Sequence, residues 1–281
     1  MIYENMSFDQ ERALYEVKNA VIRNCRIDGP VDGESFAKQT QNLDVSDCFF
    51  NLRYPFWHLT DGNISNCEMT EFCRAAFWYD KNITIDNCKM MGIKALRECD
   101  NVTLKNSVVK SPEFIWKVRN INVSKVEILD SEYPFFEVEN AKIDKLKMKG
   151  KYSFQYCNNI EIADSNFDTK DAFWHSKNLT IRDSLINGEY LAWYSENLTL
   201  INCKIIGTQP FCYCKNLRII NCTMKNCDLA FENSSVYADV HSKIDSIKNP
   251  LSGEIKAPEI GEVILNANRN PVTECKIIEG D

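Results

Sequence analysis

The sequence predicts an all-β chain wound as a single-stranded, right-handed parallel β-helix, and three observations in its 281 residues carry that prediction. Asparagine recurs at 19, 42, 82, 101, 120, 140, 159, 178, 197 and 216, with Asp61 in the one gap, so successive members lie 19 to 23 residues apart. Each opens the same phrase, as in Asn178-Leu179-Thr180-Ile181-Arg182-Asp183-Ser184 and Asn197-Leu198-Thr199-Leu200-Ile201-Asn202-Cys203. Within the phrase apolar residues are spaced by two, the period of a strand with one buried face, and not by three or four. A fixed period near 20 with Asn at a turn marks a stacked repeat. An α-solenoid is excluded, because its unit needs two helices in about 30 to 45 residues. Right-handed winding follows from the strong handedness of parallel crossovers.

The coil reads as three short strands and three bends. Its first strand buries the residues that follow the ladder Asn, such as Leu43 and Val45, Ile83 and Ile85, Val102 and Leu104, Leu179 and Ile181. A second Asn/Asp turn comes next, at Asn24, Asp47, Asn66, Asn87, Asn106, Asp164, Asp183, Asn202 and Asn221, using residues that tolerate left-handed backbone. Directly after it stands a column of small residues: Cys25, Cys48, Cys67, Cys88, Ser107, Ser165, Ser184, Cys203 and Cys222. The second strand points Ile27, Phe50, Met69, Met90, Val109 and Ile128 inward, with Met148, Phe167, Ile186, Ile205 and Met224 continuing the column. A variable turn, often with glycine (Gly92, Gly150, Gly188, Gly207), leads to a third strand whose first inward residues are Leu14, Phe56, Phe77, Leu96, Ile115, Phe135, Phe154, Phe173 and Phe211.

The chain is expected to be one domain, 1–281, with 1–18 as an N-terminal cap and partial coil, 19–240 as repeats and 241–281 as a C-terminal cap. About 11 to 12 coils stacked at ~4.8 Å give a rod of roughly 50 to 60 Å. Caps are expected because the last coils of a solenoid expose apolar surface and unpaired strand edges.

Composition bounds the function. A net charge of -7 and a pI near 5.2 leave no basic stripe for phosphate contacts, so nucleic acid is not an expected partner. No apolar run approaches a membrane span, and the first residues lack the regions of a secretory signal, so the expectation is a cytoplasmic protein with no membrane contact. The 13 cysteines are odd in number and six share one repeat column, which fits reduced thiols used as small buried residues better than a disulfide framework. Repeated Asn-x-Ser/Thr triplets, such as Asn82-Ile83-Thr84, arise from a turn Asn followed by an inward apolar and an outward Thr, with no sugar implied.

Several segments interrupt the generic repeat: Glu11-Arg12-Ala13-Leu14-Tyr15, Arg74-Ala75-Ala76-Phe77-Trp78-Tyr79, Asp171-Ala172-Phe173-Trp174, Gly188-Glu189-Tyr190-Leu191-Ala192-Trp193, and Lys243-Ile244-Asp245-Ser246-Ile247-Lys248-Asn249-Pro250-Leu251-Ser252-Gly253. Through them almost the whole chain resembles an uncharacterised bacterial family, domain of unknown function 3737. The resemblance implies a pectate-lyase-like right-handed β-helix in a gut-associated bacterial cytoplasm. It implies no activity and carries over no catalytic residue.

One surface departs from a bland solenoid. After the inward column of the third strand, each coil carries two residues that include all five tryptophans and two of the three histidines. Repeated burial of the unpaired charges in the second position, Glu16, Glu98, Lys117, Glu137 and Glu232, is prohibitive. The strand is therefore expected to bend and present both residues outward. Aromatic faces with convergent polar groups suit a carbohydrate or another small-molecule ligand, and the expected contacts are Trp57, His58, Trp78, Tyr79, Arg97, Glu98, Trp116, Lys117, Glu137, Trp174, His175, Trp193 and Tyr194. The competing expectation is a non-enzymatic scaffold whose strip docks a protein partner or a second copy as a homodimer, and plain ladder packing or cover by the terminal segment is a third. Glu98 and Glu137 are the only catalytic candidates, two coils and ~9.6 Å apart, within reach of an inverting glycosidase's carboxylate spacing. Lys117 between them argues against a general acid. No metal is expected, since Cys214 and Cys222 belong to inward columns, and no cofactor motif is present.

Overall fold

The structure is a computed structural model that describes residues 1–29, 34–266 and 273–280. Among the described residues all regular structure is strand, arranged as a parallel β-solenoid of about 14 turns. The chain divides into two compact units, Met1–Lys142 and Ile143–Asp281.

In the first unit the long strand of each coil runs through Lys18–Arg23, Gln41–Ser46, Thr60–Ser65, Lys81–Asp86, Asp100–Lys105 and Arg119–Ser124. Its inward residues pair in parallel register as Ile22, Val45, Ile64, Ile85, Leu104 and Val123, so one apolar column repeats the same contact at every step. A second sheet aligns Ile27, Phe50, Met69, Met90 and Val109. In the second unit the long strands align Ile162, Ile181, Leu200, Ile219, Ala238, Ile255 and Ile277.

The number of turns exceeds 11 to 12 because the terminal segments add coils. Ile2–Glu4 and Ser7–Phe8 pair with Lys18–Arg23 and Arg26–Ile27, while Ser252–Ala257 and Glu274–Glu279 extend the sheet beyond Ser235–Val240.

The third strand is less regular than the sequence suggests. It forms a four-stranded sheet of Ala37–Lys38, Phe56–Trp57, Phe77–Trp78 and Leu96–Arg97, then thins to isolated bridges at Trp116 and Phe136. In the second unit the corresponding residues 153–156 and 172–175 are turns. The backbone explains the change. In the early coils one left-handed residue ends the strand, His58 at φ 61° and Tyr79 at φ 60°, whereas later coils place two, as in Phe154 and Tyr156 at φ 55° and 58°. Two such residues leave a single residue between them, enough for an isolated bridge at Trp116 and Phe136 but not for a strand.

Every ladder position is left-handed, with φ from 53° at Asn216 to 61° at Asp61, the region Asn and Asp enter most readily. Ladder amides bond along the stack on the exposed surface: Asn101 Nδ2 donates to Asn82 Oδ1 at 2.9 Å, and Asn197 Nδ2 to Asn178 Oδ1 at 2.9 Å. Asp100 and Asn158, one residue before the ladder position, serve as acceptors for Asn120 and Asn178.

The Cys/Ser column is a hydrogen-bonding position as well as a small one. Ser165 Oγ donates to Ala163 O at 2.7 Å and accepts the Leu146 amide at 3.0 Å, and Cys48 Sγ donates to Ser46 O at 3.1 Å while accepting the Cys25 amide at 3.5 Å. Thiol and hydroxyl are therefore interchangeable there. Inside, Phe56 stacks on Phe77 at 5.1 Å and Phe154 on Phe173 at 5.2 Å, and both pairs lie in the core.

Candidate functional site

The outward pair of each coil is made by the left-handed residue at its second position. His58, Tyr79, Glu98 and Lys117 in the first unit, and Tyr156, His175 and Tyr194 in the second, all have φ between 53° and 61°. A residue of this kind turns the chain, so the side chain that strict alternation would send inward points to solvent instead. The bend expected from the charge pattern is thus built from backbone conformation. One residue later the chain again faces the core.

In the first unit the structure brings Trp57, His58, Trp78, Tyr79, Arg97 and Glu98 together as a stack. Trp57 and Trp78 lie 5.1 Å apart with planes at 11°, and His58 and Tyr79 lie 5.1 Å apart, also at 11°. Lys38 Nζ sits 3.7 Å over the Trp57 ring, and the Arg97 guanidinium 5.5 Å over Trp78. Both outer faces of the indole pair are therefore occupied by cations, an attraction of ~0.5 to 2 kcal/mol each. Tyr54 packs beside both indoles. The flat faces that would stack on a sugar are spent on neighbours, and what remains exposed is ring edge.

Trp116 stacks on Phe136 at 4.7 Å and donates its indole N–H to Tyr133 O at 2.6 Å. The indole nitrogens of Trp57 and Trp78 differ, being buried and without a partner.

The two carboxylate candidates are engaged. Arg97 binds Glu98 at 2.8 Å, and Lys117 lies 3.6 Å from Glu137. Burial raises the Glu98 pKa, but hydrogen bonds from the Tyr79 phenol and Arg97 outweigh it and hold the carboxyl below its ordinary value. An acid so held is ionised at neutral pH and has no proton to give a leaving group. Burial, with Lys38 and Lys81, pushes His58 down from its ordinary value.

In the second unit Trp174 and Trp193 stack at 5.3 Å and 4°, their indole N–H groups donating to Tyr190 O at 2.6 Å and Gln209 O at 2.8 Å. Beside them runs a four-ring stack: Tyr156 to His175 at 4.9 Å, His175 to Tyr194 at 5.0 Å, Tyr194 to Tyr213 at 4.7 Å, with planes within 9°. Tyr156 and Tyr194 are 51% and 47% exposed.

Not every residue of the outward pairs is outward. Gln155 and Cys212 are buried, Gln155 donating to Asp171 O at 3.1 Å. The last pair shifts by one residue. Phe231 is an inward ring stacked on Phe211 at 6.0 Å; Glu232, expected outward for its charge, is instead buried at 7% exposure, where Lys248 pairs it at 3.1 Å, and the left-handed residue is Asn233 at φ 53°. Sequence spacing missed Asp80, which follows Tyr79 into the core and is fully buried. Its inward column is visible in the sequence, but a carboxyl is the residue type least expected in it.

Among the described residues no group of three or more His, Cys, Asp or Glu side chains is placed to hold a metal ion, and no helix is long and apolar enough to cross a membrane.

Two solved structures are similar to this chain. A surface adhesin of Streptococcus pneumoniae, PfbA, is similar at 11% identity over 86% of this chain and 82% of that chain, with a TM-score of 0.41. The A-module of the Azotobacter vinelandii mannuronan C-5 epimerase AlgE4 is similar at 10% identity over 98% of this chain and 86% of that chain, with a TM-score of 0.33. No curated protein matches the sequence. The family model described as protein of unknown function (DUF3737) matches residues 1–278, and the chain belongs to that family.

Proposed function

We propose that this protein is a non-catalytic binding protein that holds an extended glycan along the coil axis by the ring edges of Tyr156, His175, Tyr194 and Tyr213. One observation carries the reading: four stacked rings at a near-constant 4.7 to 5.0 Å, with Tyr156, His175 and Tyr194 exposed and Tyr213 half-buried, each carrying a hydroxyl or imidazole nitrogen at the same step as the coils. A repeating row of donors and acceptors fits a repeating, hydroxyl-rich polymer laid parallel to it. Stacking holds the rings in place before a ligand arrives, which lowers the entropy cost of binding. Contact is through edges because the faces are occupied. Trp57, His58, Trp78, Tyr79, Trp116, Trp174 and Trp193 fasten the coils, and Glu98 and Glu137 serve as ion-pair partners. The free thiols, twelve of them buried, support placing the protein in a reducing compartment.

The test is binding to a panel of extended polysaccharides and their monosaccharides, read by calorimetry together with product analysis. The reading expects binding that grows with chain length, no bond cleavage, and a protein that is monomeric when it binds. Sedimentation showing a stable dimer with the tyrosine row protected would favour the self-association reading instead.

A further inference from the structure

The inward column that follows the outward pair has a fixed hydrogen-bonding job. Ser176 Oγ accepts the Cys157 amide at 3.1 Å and donates to Phe154 O at 2.6 Å. Ser234 Oγ accepts the Cys214 amide at 2.8 Å and donates to Phe211 O at 2.7 Å. In each case the side chain receives the amide of its own column one coil back and returns a proton to the carbonyl three residues before that amide. Ser195 Oγ and Cys99 Sγ make the donating half of the pattern, to Phe173 O and Phe77 O.

Asp80 occupies this column. Its Oδ1 accepts the Leu59 amide at 2.8 Å, which is the accepting half, and the carbonyl three residues before Leu59 belongs to Phe56. Its Oδ2 is buried without a partner. The residue is 0% exposed. What the position lacks is a proton on Oδ2.

We infer that Asp80 is a neutral carboxylic acid in the folded protein, its Oδ2–H donating to the Phe56 carbonyl and clasping the coil of Trp78 and Tyr79 onto the coil of Trp57 and His58. The clasp is pH-sensitive, because ionisation removes the donor and leaves an unpaired charge in the core. The electrostatics agree. Burial raises this carboxyl well above its ordinary value, opposed only by the backbone amides of Leu59, Trp78 and His58, and no cation contributes. Among neighbouring titratable groups, Cys99 one coil on is itself buried, and burial holds its thiol protonated. His58, Tyr79, Lys81 and Glu98 lie on the outer side of the wall, and Thr40 precedes Leu59 in the same column. No ion pair therefore stabilises an Asp80 carboxylate.

Asp80→Asn tests the inference, since the amide accepts from Leu59 and donates to Phe56 with no titratable proton. Infrared difference spectra at pH 7 are expected to show a protonated-carboxyl band in the wild type that is absent from Asp80→Asn. Denaturation between pH 4 and 9 is expected to give equal stabilities at the acid end. Above it, and until Asp80 itself ionises in the folded protein, the wild type should fall behind Asp80→Asn by about tenfold in folded-to-unfolded ratio per pH unit. Near-ultraviolet dichroism of the stacked indoles should change at high pH in the wild type alone. Should the Asn variant fold poorly, Asp80→Ser supplies the Ser176 arrangement and the same comparison. A missing carboxyl band, or a stability difference that does not vary with pH in either variant, overturns the inference.

Discussion

Replacing Asn178 separates the two reasons an asparagine occupies the ladder. Its Nδ2 donates to Asn158 Oδ1 at 2.9 Å, its Oδ1 accepts from Asn197 at 2.9 Å, and its backbone is left-handed at φ 55°. The amides are exposed, so water replaces a lost partner and each bond is worth about 0.5 kcal/mol, the low end for such bonds. Alanine in the left-handed region costs a further ~1 to 2 kcal/mol. Asn178→Ala is therefore expected to lose about 2 to 3 kcal/mol. Asn178→Asp tolerates the backbone and still accepts from Asn197, as Asp61 accepts from Asn82, so it should lose only about 0.5 to 1 kcal/mol. Urea denaturation of the three proteins at one pH reads both losses. Equal losses for Ala and Asp would show that donation to Asn158 dominates and that the backbone argument is wrong. No loss for either would show that the ladder contributes nothing.

Other outcomes follow from the same geometry. Gly207 sits at φ 131°, and a Cβ there would lie 2.1 Å from Gly188 O, so Gly207→Ala should cost more than ~3 kcal/mol or prevent folding, while Gly280→Ala, at φ 111° with open space around it, carries backbone strain without a clash and should cost less; thermal melts compare them. Glu98 has its folded pKa lowered, so it contributes stability above its unfolded value, which is lost as pH falls through the folded one. Glu98→Gln should match the wild type in acid and fall behind at neutral pH by no more than ~1 kcal/mol, the pair being partly exposed. Thiol titration of the unfolded, unreduced protein should return 13.

The solenoid was legible because each coil repeats the same demands: an Asn that accepts left-handed backbone, an alternating pair such as Ile181 beside Leu179, and a small residue at Ser184 or Cys203. Agreement among many copies makes the period visible where a single copy would be ambiguous. The outward pairs were legible for a different reason, since charges at Glu98 and Lys117 rule out burial. Three things were hidden. The second left-handed residue at Phe154 and Phe173 leaves no compositional trace, because phenylalanine is not a residue that announces such a backbone. The use of aromatic faces was hidden because sequence gives the rings and not their partners, and only the stack shows Lys38 and Arg97 covering Trp57 and Trp78. The hydrogen-bonding job of the Cys/Ser columns was hidden behind their size, and with it the meaning of Asp80 among them.

On the proposed function the tyrosine row binds by its edges while the indole stacks only hold the coils together. The direct measurement is the affinity of one polysaccharide that binds the wild type, repeated on Tyr194→Ala and on Trp78→Phe with folding checked by circular dichroism. Binding lost in Tyr194→Ala and kept in Trp78→Phe is the predicted result. Binding kept in Tyr194→Ala and lost in Trp78→Phe, or no polysaccharide bound at all, would contradict it.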